Sequence, residues 1–147
     1  MNTHAEKRIL PFTAKQMYGL VADVEKYPEF LPWCMGCRIT KRENDFLEAD
    51  LIIGYKMLQE SFRSKVTLHP HHLVDVQYKS GPLKYLNNHW KFKDLPDGSC
   101  EVDFYIDFAF HSSMVQQAMS FFFNEAVKKM IHAFEKRAHM LYKKNVS

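Results

Sequence analysis

Glycine is scarce in this chain, with five residues among 147, and none of them cluster. That scarcity removes the glycine-rich loops that cradle phosphates, and neither a G-x-S-x-G elbow nor an H-E-x-x-H helix is present. No apolar run approaches the roughly 18–20 residues needed to cross a bilayer as a helix. The opening residues Met1 to Glu6 contain no apolar stretch of the secretory kind and lack the Arg-rich character of a transit peptide. The expected setting is therefore the cytosol, or a mature form already trimmed. Three cysteines, an odd number, make reduced thiols the default. A concentrated basic block is missing as well. The net charge of +3 is spread along the chain, which argues against DNA as a partner but suits weak attraction to an anionic membrane face.

What is present is apolar and aromatic. Hydrophobic residues make up 46% and aromatic residues 14%, including 12 Phe, so one domain over residues 1–147 can enclose a substantial core. Lys7 to Leu10 reads as a short strand ended by Pro11. Thr13 can cap a helix from Ala14 to about Asp23, because Met17, Leu20, Val21 and Val24 fall at helical spacing. Pro28 and Pro32 bound an aromatic segment, Tyr27 to Trp33, with room for one helical turn at most.

From Cys37 to Phe110 the period changes to two. Turn signals at Asn44-Asp45 and Asp97-Gly98 separate alternating runs. The runs are Asp45 to Met57, Glu60 to Leu68, Leu73 to Ser80, Leu86 to Asp94 and Val102 to Phe110. In the last, Val102, Phe104, Ile106, Phe108 and Phe110 share one face. With the run that opens at Cys37 and ends at the Asn44-Asp45 turn, these make six strand signals joined by short turns, an antiparallel meander, apolar on one side and wet on the other. Ser112 or Ser113 then caps a helix of about 30 residues, roughly 45 Å long, running to about Tyr142 without Gly or Pro. The expected layout is α+β, a sheet of about six to seven strands curled around one long C-terminal helix.

Three blocks carry a resemblance. Met17 to Cys34, containing Asp23-Val24-Glu25-Lys26-Tyr27-Pro28-Glu29-Phe30-Leu31-Pro32-Trp33, resembles the opening of the coenzyme Q-binding proteins. Ser80 to Phe92 and Val102 to Phe108 resemble later blocks of the same family, in the same order. That family lies in the START-like superfamily with the polyketide cyclase/dehydrase group, and includes bacterial ribosome-association toxins. The resemblance implies a helix-grip fold with a ligand cavity between helix and sheet. The absence of a mitochondrial targeting extension is similar to the bacterial members, so the bacterial cytoplasm is the expected location, with peripheral contact at the inner face of its membrane.

On that reading Phe62, Trp90, Phe92, Phe104 and Phe108 would line the sheet side of the cavity. Met119, Phe122, Phe123 and Met130 would line the helix side, where unbranched Met suits a flexible guest. An isoprenoid tail needs only apolar wall, whereas a quinone head needs donors for its oxygens. Tyr18, Tyr55, Lys84 and Arg63 are the candidates. Phe30, Leu31 and Trp33 would form a lid that either dips into a bilayer interface or folds inward. The plain alternative is that these stripes are solid core.

Three functions stand against one another. The first is a non-catalytic carrier of ubiquinone or a related isoprenoid lipid, serving respiratory complexes, with that lipid as ligand and no other cofactor. The second is a ribosome-associated, toxin-like protein that inhibits translation by blocking subunit association, with a ribosomal subunit as partner. The third is a cyclase, which would need an acid or base in the cavity. Cys34-Met35-Gly36-Cys37 lacks the strand-to-helix context of a redox pair and the further ligands of a zinc site, so no metal is expected. His69, His71 and His72 read as a solvated turn, and Asp103 and Asp107 as part of a wet strand face.

Overall fold

The computed structural model describes residues 2–55 and 58–142. Strand β1 (Asn2–Leu10) leads into helix α1 (Ala14–Ala22) and a 3-10 helix (Val24–Glu29). Six strands follow: β2 (Cys34–Arg42), β3 (Phe46–Tyr55), β4 (Leu58–His69), β5 (Leu73–Ser80), β6 (Leu83–Asp94) and β7 (Cys100–Phe110). Helix α2 (Ser113–Leu141) closes the chain. All seven strands form one antiparallel sheet in the order β1-β7-β6-β5-β4-β3-β2. The sheet curls around α2, which is the helix-grip arrangement that the resemblance implied.

Both α-helices start at a side-chain cap. Thr13 Oγ1 accepts from Gln16 N at 3.1 Å while Thr13 N donates to Gln16 Oε1 at 2.9 Å, a reciprocal capping box. Ser112 Oγ accepts from Val115 N at the start of α2. Asp94 at the end of β6 accepts from Ala14 N at 2.8 Å, which ties α1 to the sheet and sets a carboxylate at a helix N-terminus.

β2 and β6 each begin three residues ahead of expectation, at Cys34 and Leu83, and two other boundaries also differ. β1 begins at Asn2, not Lys7, because its early residues are polar and are held as strand by main-chain pairing with β7, from Asn2 opposite Phe108 to Leu10 opposite Cys100. A hydrophobic alternation cannot reveal such a strand. The 3-10 helix begins ahead of Pro28 and contains it, ending one residue later. Met57, the expected end of β3, lies outside the described residues. At the far end of α2, Met140 and Leu141 are exposed.

Sheet curvature has local causes. The pairing slips between Cys34 and Gly36, between Ile39 and Lys41, between Arg63 and Ser64, and between Leu83 and Tyr85. Bulges of this kind bend a strand and increase its twist. The β5–β6 turn passes close over β4 at Gly81, whose φ is +141°. A Cβ there would fall 2.7 Å from Phe62 Cβ and 3.1 Å from the Ser61 carbonyl oxygen. Gly81→Ala is therefore expected to lower stability by about 1–3 kcal/mol, read from the urea midpoint. A loss below about 0.5 kcal/mol would mean that the turn relaxes freely.

Candidate functional site

The apolar faces of sheet and helix do not interlock. Between them lies a cavity of about 190 Å³, more than ten times the roughly 10–15 Å³ that holds one water. α2 contributes Met119, Phe123, Ala126, Val127, Met130 and Phe134 to its wall. The sheet contributes inward positions of β3 to β7, such as Leu51, Phe62, Val76, Leu86 and Ile106. β6 and β7 add Trp90, Phe104 and Phe108, as the alternation required. Leu31 and Trp33, between the 3-10 helix and β2, complete the enclosure.

Of the residues expected at the site, the structure thus brings together Leu31, Trp33, Phe62, Trp90, Phe104, Phe108, Met119, Phe123 and Met130. Four others are placed elsewhere. Phe92 is on the inward face of β6 but beyond the cavity, under α1, where it meets the Tyr18 ring edge-on at 6.1 Å. Tyr18 lies on that same end of the sheet, 5.8 Å from the His71 ring. The reason is that α1, through Met17, Leu20 and Val21, fills that end of the sheet's concave face. Phe30 packs edge-on to Tyr27 and Phe134 outside the cavity, with the Arg137 guanidinium over its ring at 5.2 Å. Phe122 is half-buried on the flank of α2 and does not reach the wall.

The lid folds inward. Leu31 is buried, and the Tyr27 hydroxyl donates to the Val21 carbonyl. Burial pushes that phenol's pKa up, so it stays protonated and keeps the bond. Tyr27 and Phe30 both meet the Phe134 ring edge-on, at 5.4 and 5.2 Å. Arg137 binds Glu29 Oε1 at 2.9 Å and holds that carboxyl below its usual range.

Three of the expected head-group donors, Tyr18, Lys84 and Arg63, do not reach the wall. Lys84 is exposed on the outward face of β6. Arg63 turns outward and binds Asp50 with Nε at 2.7 Å and Nη2 at 3.1 Å. The Tyr55 side chain lies outside the described residues. Among the described residues, the wall includes the polar side chains of Glu60 and Ser64 on β4, Asn88 on β6, Tyr27 in the 3-10 helix and Trp33. Parity held this information: Glu60, Ser64 and Phe62 share one strand face, and Asn88 sits between Leu86 and Trp90. Asn88 Nδ2 donates to the Tyr105 carbonyl at 2.8 Å. Trp33 Nε1 and Ser64 Oγ are buried and have no partner among the described residues. A buried polar group left so costs about 1–3 kcal/mol.

Cys34 reaches the wall, and Cys37 lies next to it on β2. Burial raises the Cys34 thiol pKa and, with lesser repulsion from Cys34, Glu25 and Asp50, pushes Cys37 up to about 11. Both are held as thiols, the opposite of what a reactive pair requires. Among the described residues no group of three metal-ligating side chains converges, and no helix is long and apolar enough to cross a membrane.

The fold recurs widely. An aromatase/cyclase from a Streptomyces species superposes with a TM-score of 0.82 at 12% identity over 93% of both chains, a likeness of fold alone. An 18 kDa protein of Caulobacter crescentus superposes with a TM-score of 0.78 at 34% identity, over 96% of this chain and 98% of its own. In sequence, the ribosome association toxin RatA of Rickettsia prowazekii is 37% identical over 92% of this chain and 95% of its own length. The mitochondrial coenzyme Q-binding protein COQ10 homolog B of Xenopus laevis is 34% identical over 95% of this chain, which spans 59% of that protein. The family model described as polyketide cyclase / dehydrase and lipid transport matches residues 10–135. With its START-like sheet wrapped around a long helix, the chain belongs to the polyketide cyclase/dehydrase and lipid transport family.

Proposed function

We propose that this chain binds ubiquinone or a related isoprenoid lipid, leaves it chemically unchanged, and delivers it in support of respiratory electron transport. The observation that carries this reading is the apolar cavity of about 190 Å³ between α2 and the sheet. A branched hydrocarbon tail asks only for such a wall, and each Å² it withdraws from water contributes about 25 cal/mol. Kinship with a coenzyme Q-binding protein supports the choice of lipid. Among the described residues Glu60 is the one carboxylate on a wall that is otherwise mostly apolar, and we assign the site to binding rather than catalysis. No cofactor beyond the lipid is invoked. The work belongs in the bacterial cytoplasm, at the inner face of the membrane where the lipid is exchanged with the bilayer or respiratory complexes.

Mass spectrometry of lipids extracted from the purified protein tests this directly. An isoprenoid quinone in near-stoichiometric amount is expected. An extract free of lipid, together with failure to take up added short-tailed quinone, would sink the proposal.

A second reading has its own support. RatA of Rickettsia prowazekii matches along nearly its whole length and is called a ribosome association toxin. On this reading the chain inhibits translation by blocking subunit association. Salt-sensitive co-sedimentation with one ribosomal subunit is its expected result, and absence of binding at low salt counts decisively against it.

A further inference from the structure

Helix α2 changes character along its length. From Ser112 to Asn124 the chain carries no charged side chain, whereas the remainder to Leu141 holds Glu125, Lys128, Lys129, Glu135, Lys136 and Arg137. The inner side of the uncharged part borders the cavity through Met119 and Phe123. Its outer side is apolar as well. Met114 is 79% exposed and Phe121 86% exposed, and two helical turns between them put both on one stripe. Two of the polar side chains in this stretch are turned to the protein itself. Gln116 Oε1 accepts from Phe110 N at 2.8 Å, and Ser120 Oγ donates to the Gln116 carbonyl at 2.9 Å. Gln117 stays exposed between the two apolar residues. A helical stretch that is apolar on more than one side belongs in a core or against lipid, and the outer side here is not in the core.

This stretch lies at the end of the sheet's concave face that α1 does not fill. His111 N donates to the Pro82 carbonyl at 2.9 Å, which fixes the start of α2 beside the β5–β6 turn, and Pro82, Leu83 and Phe110 there line the cavity. Exposed cations flank the patch. Lys84 follows Leu83, and Lys128 continues the stripe of Met114 and Phe121 by two further turns. The carboxylates of the neighbouring elements are engaged: Glu125 with Lys129 at 2.9 Å, Asp50 with Arg63 at 2.7 Å, Asp107 with Thr3 at 2.8 Å, and Glu60 in the cavity wall. Two side chains the size of Met114 and Phe121 present on the order of 300 Å², less than half of the roughly 800 Å² that each partner of a stable dimer buries. A bilayer interface needs no matching surface, only apolar groups with cations beside them.

We infer that the outer side of α2 at Met114 and Phe121 is the surface by which this chain docks on an anionic lipid bilayer. Phe121 and Met114 enter the boundary between head groups and acyl chains, while Lys84 and Lys128 extend to the phosphates. This rests on the carrier reading above and gives its membrane contact a surface. The same helical stretch then meets the bilayer on one side and the cavity on the other. A guest crosses between them at the edge of α2 beside Leu83, without a path through bulk water.

Co-sedimentation of the full chain with vesicles is the test, using phosphatidylcholine alone and phosphatidylcholine mixed with phosphatidylglycerol. Wild type is expected to bind the mixed vesicles at least about tenfold more tightly than the neutral ones. F121S and M114S are each expected to lose about tenfold in partitioning to mixed vesicles. K84E and K128E are each expected to lose about fivefold on mixed vesicles and to leave neutral ones unaffected. Because Phe121 is exposed and outside the cavity wall, F121S should keep the wild-type melting temperature and bind a short-tailed quinone within about twofold of wild type. Vesicle binding that survives both F121S and M114S overturns the assigned surface, as does wild type that ignores both kinds of vesicle. Quinone uptake without vesicles judges the carrier reading separately, so a chain that docks but takes up no quinone sinks that reading and leaves the surface standing. A dimer, or binding to a ribosomal subunit, that F121S abolishes while vesicle binding is absent overturns the bilayer as the occupant.

Discussion

Phe134→Ala is expected to lower folding stability by about 3–5 kcal/mol, the range for deleting a buried aromatic ring that neighbours cannot replace. Phe134 is 3% exposed and is the point where three layers meet. Its ring lies 4.8 Å from Trp90 on the sheet, 5.4 Å from Tyr27 in the 3-10 helix and 5.2 Å from Phe30 beyond it. Truncation enlarges a void that already exists, so collapse around the site is the less available route to relief. The lid would lose its anchor at the same time, and the Tyr27 hydroxyl would gain access to water. Equilibrium denaturation in urea measures the effect. A loss below about 1.5 kcal/mol would mean that the lid and α2 repack, and that the cavity is more deformable than its aromatic lining implies.

Ala126→Phe acts in the opposite direction and on a different quantity. Ala126 is a small residue on the α2 wall, facing open space rather than a packed neighbour. A ring placed there enters the cavity. Overpacking normally costs about 1–3 kcal/mol in a full core, but here the added atoms meet a void, so stability should hold or rise. Quinone affinity is expected to fall by at least about a hundredfold, because the ring occupies the volume the guest needs. The variant also separates the two functional readings. A translation block exerted from the outer surface would survive Ala126→Phe unchanged. Loss of both properties would tie them to the same cavity, and unchanged lipid binding would show that the guest sits elsewhere.

The order of elements was readable from periodicity alone because the strands are amphipathic. Val102, Phe104, Ile106, Phe108 and Phe110 alternate without a break, and the α2 stripe from Met119 to Phe134 has no interrupting Gly or Pro. The first half of β1 was not readable, since Asn2 to Glu6 are strand only through their partner β7. For the site, the alternation correctly marked inward positions but could not say which inward residues border space and which border α1. Phe92 and Phe104 have equivalent patterns, and only the placement of α1 separates them. The polar residues of the wall were legible in principle. Ser64 and Asn88 interrupt apolar faces at inward parity, and such interruptions are a better guide to a binding site than another Phe in the stripe. The family blocks named the fold and pointed to the cavity, while the candidate donors Tyr18, Lys84 and Arg63 lie away from its wall because their neighbours and strand positions turn those side chains elsewhere.

The strand order also sets a timetable for assembly. β1 is made first but hydrogen-bonds to β7, so Thr3 pairs with Asp107 and Leu10 with Cys100. During synthesis the meander from β2 to β7 can zip in sequence by neighbouring hairpins, while the leading strand waits unpaired until its partner has left the ribosome. Closing so long a loop is entropically slow. The last register to lock is therefore the one that joins the two ends of the sheet-forming chain, and a nascent polypeptide halted before β7 would carry a dangling edge with no cognate strand to receive it.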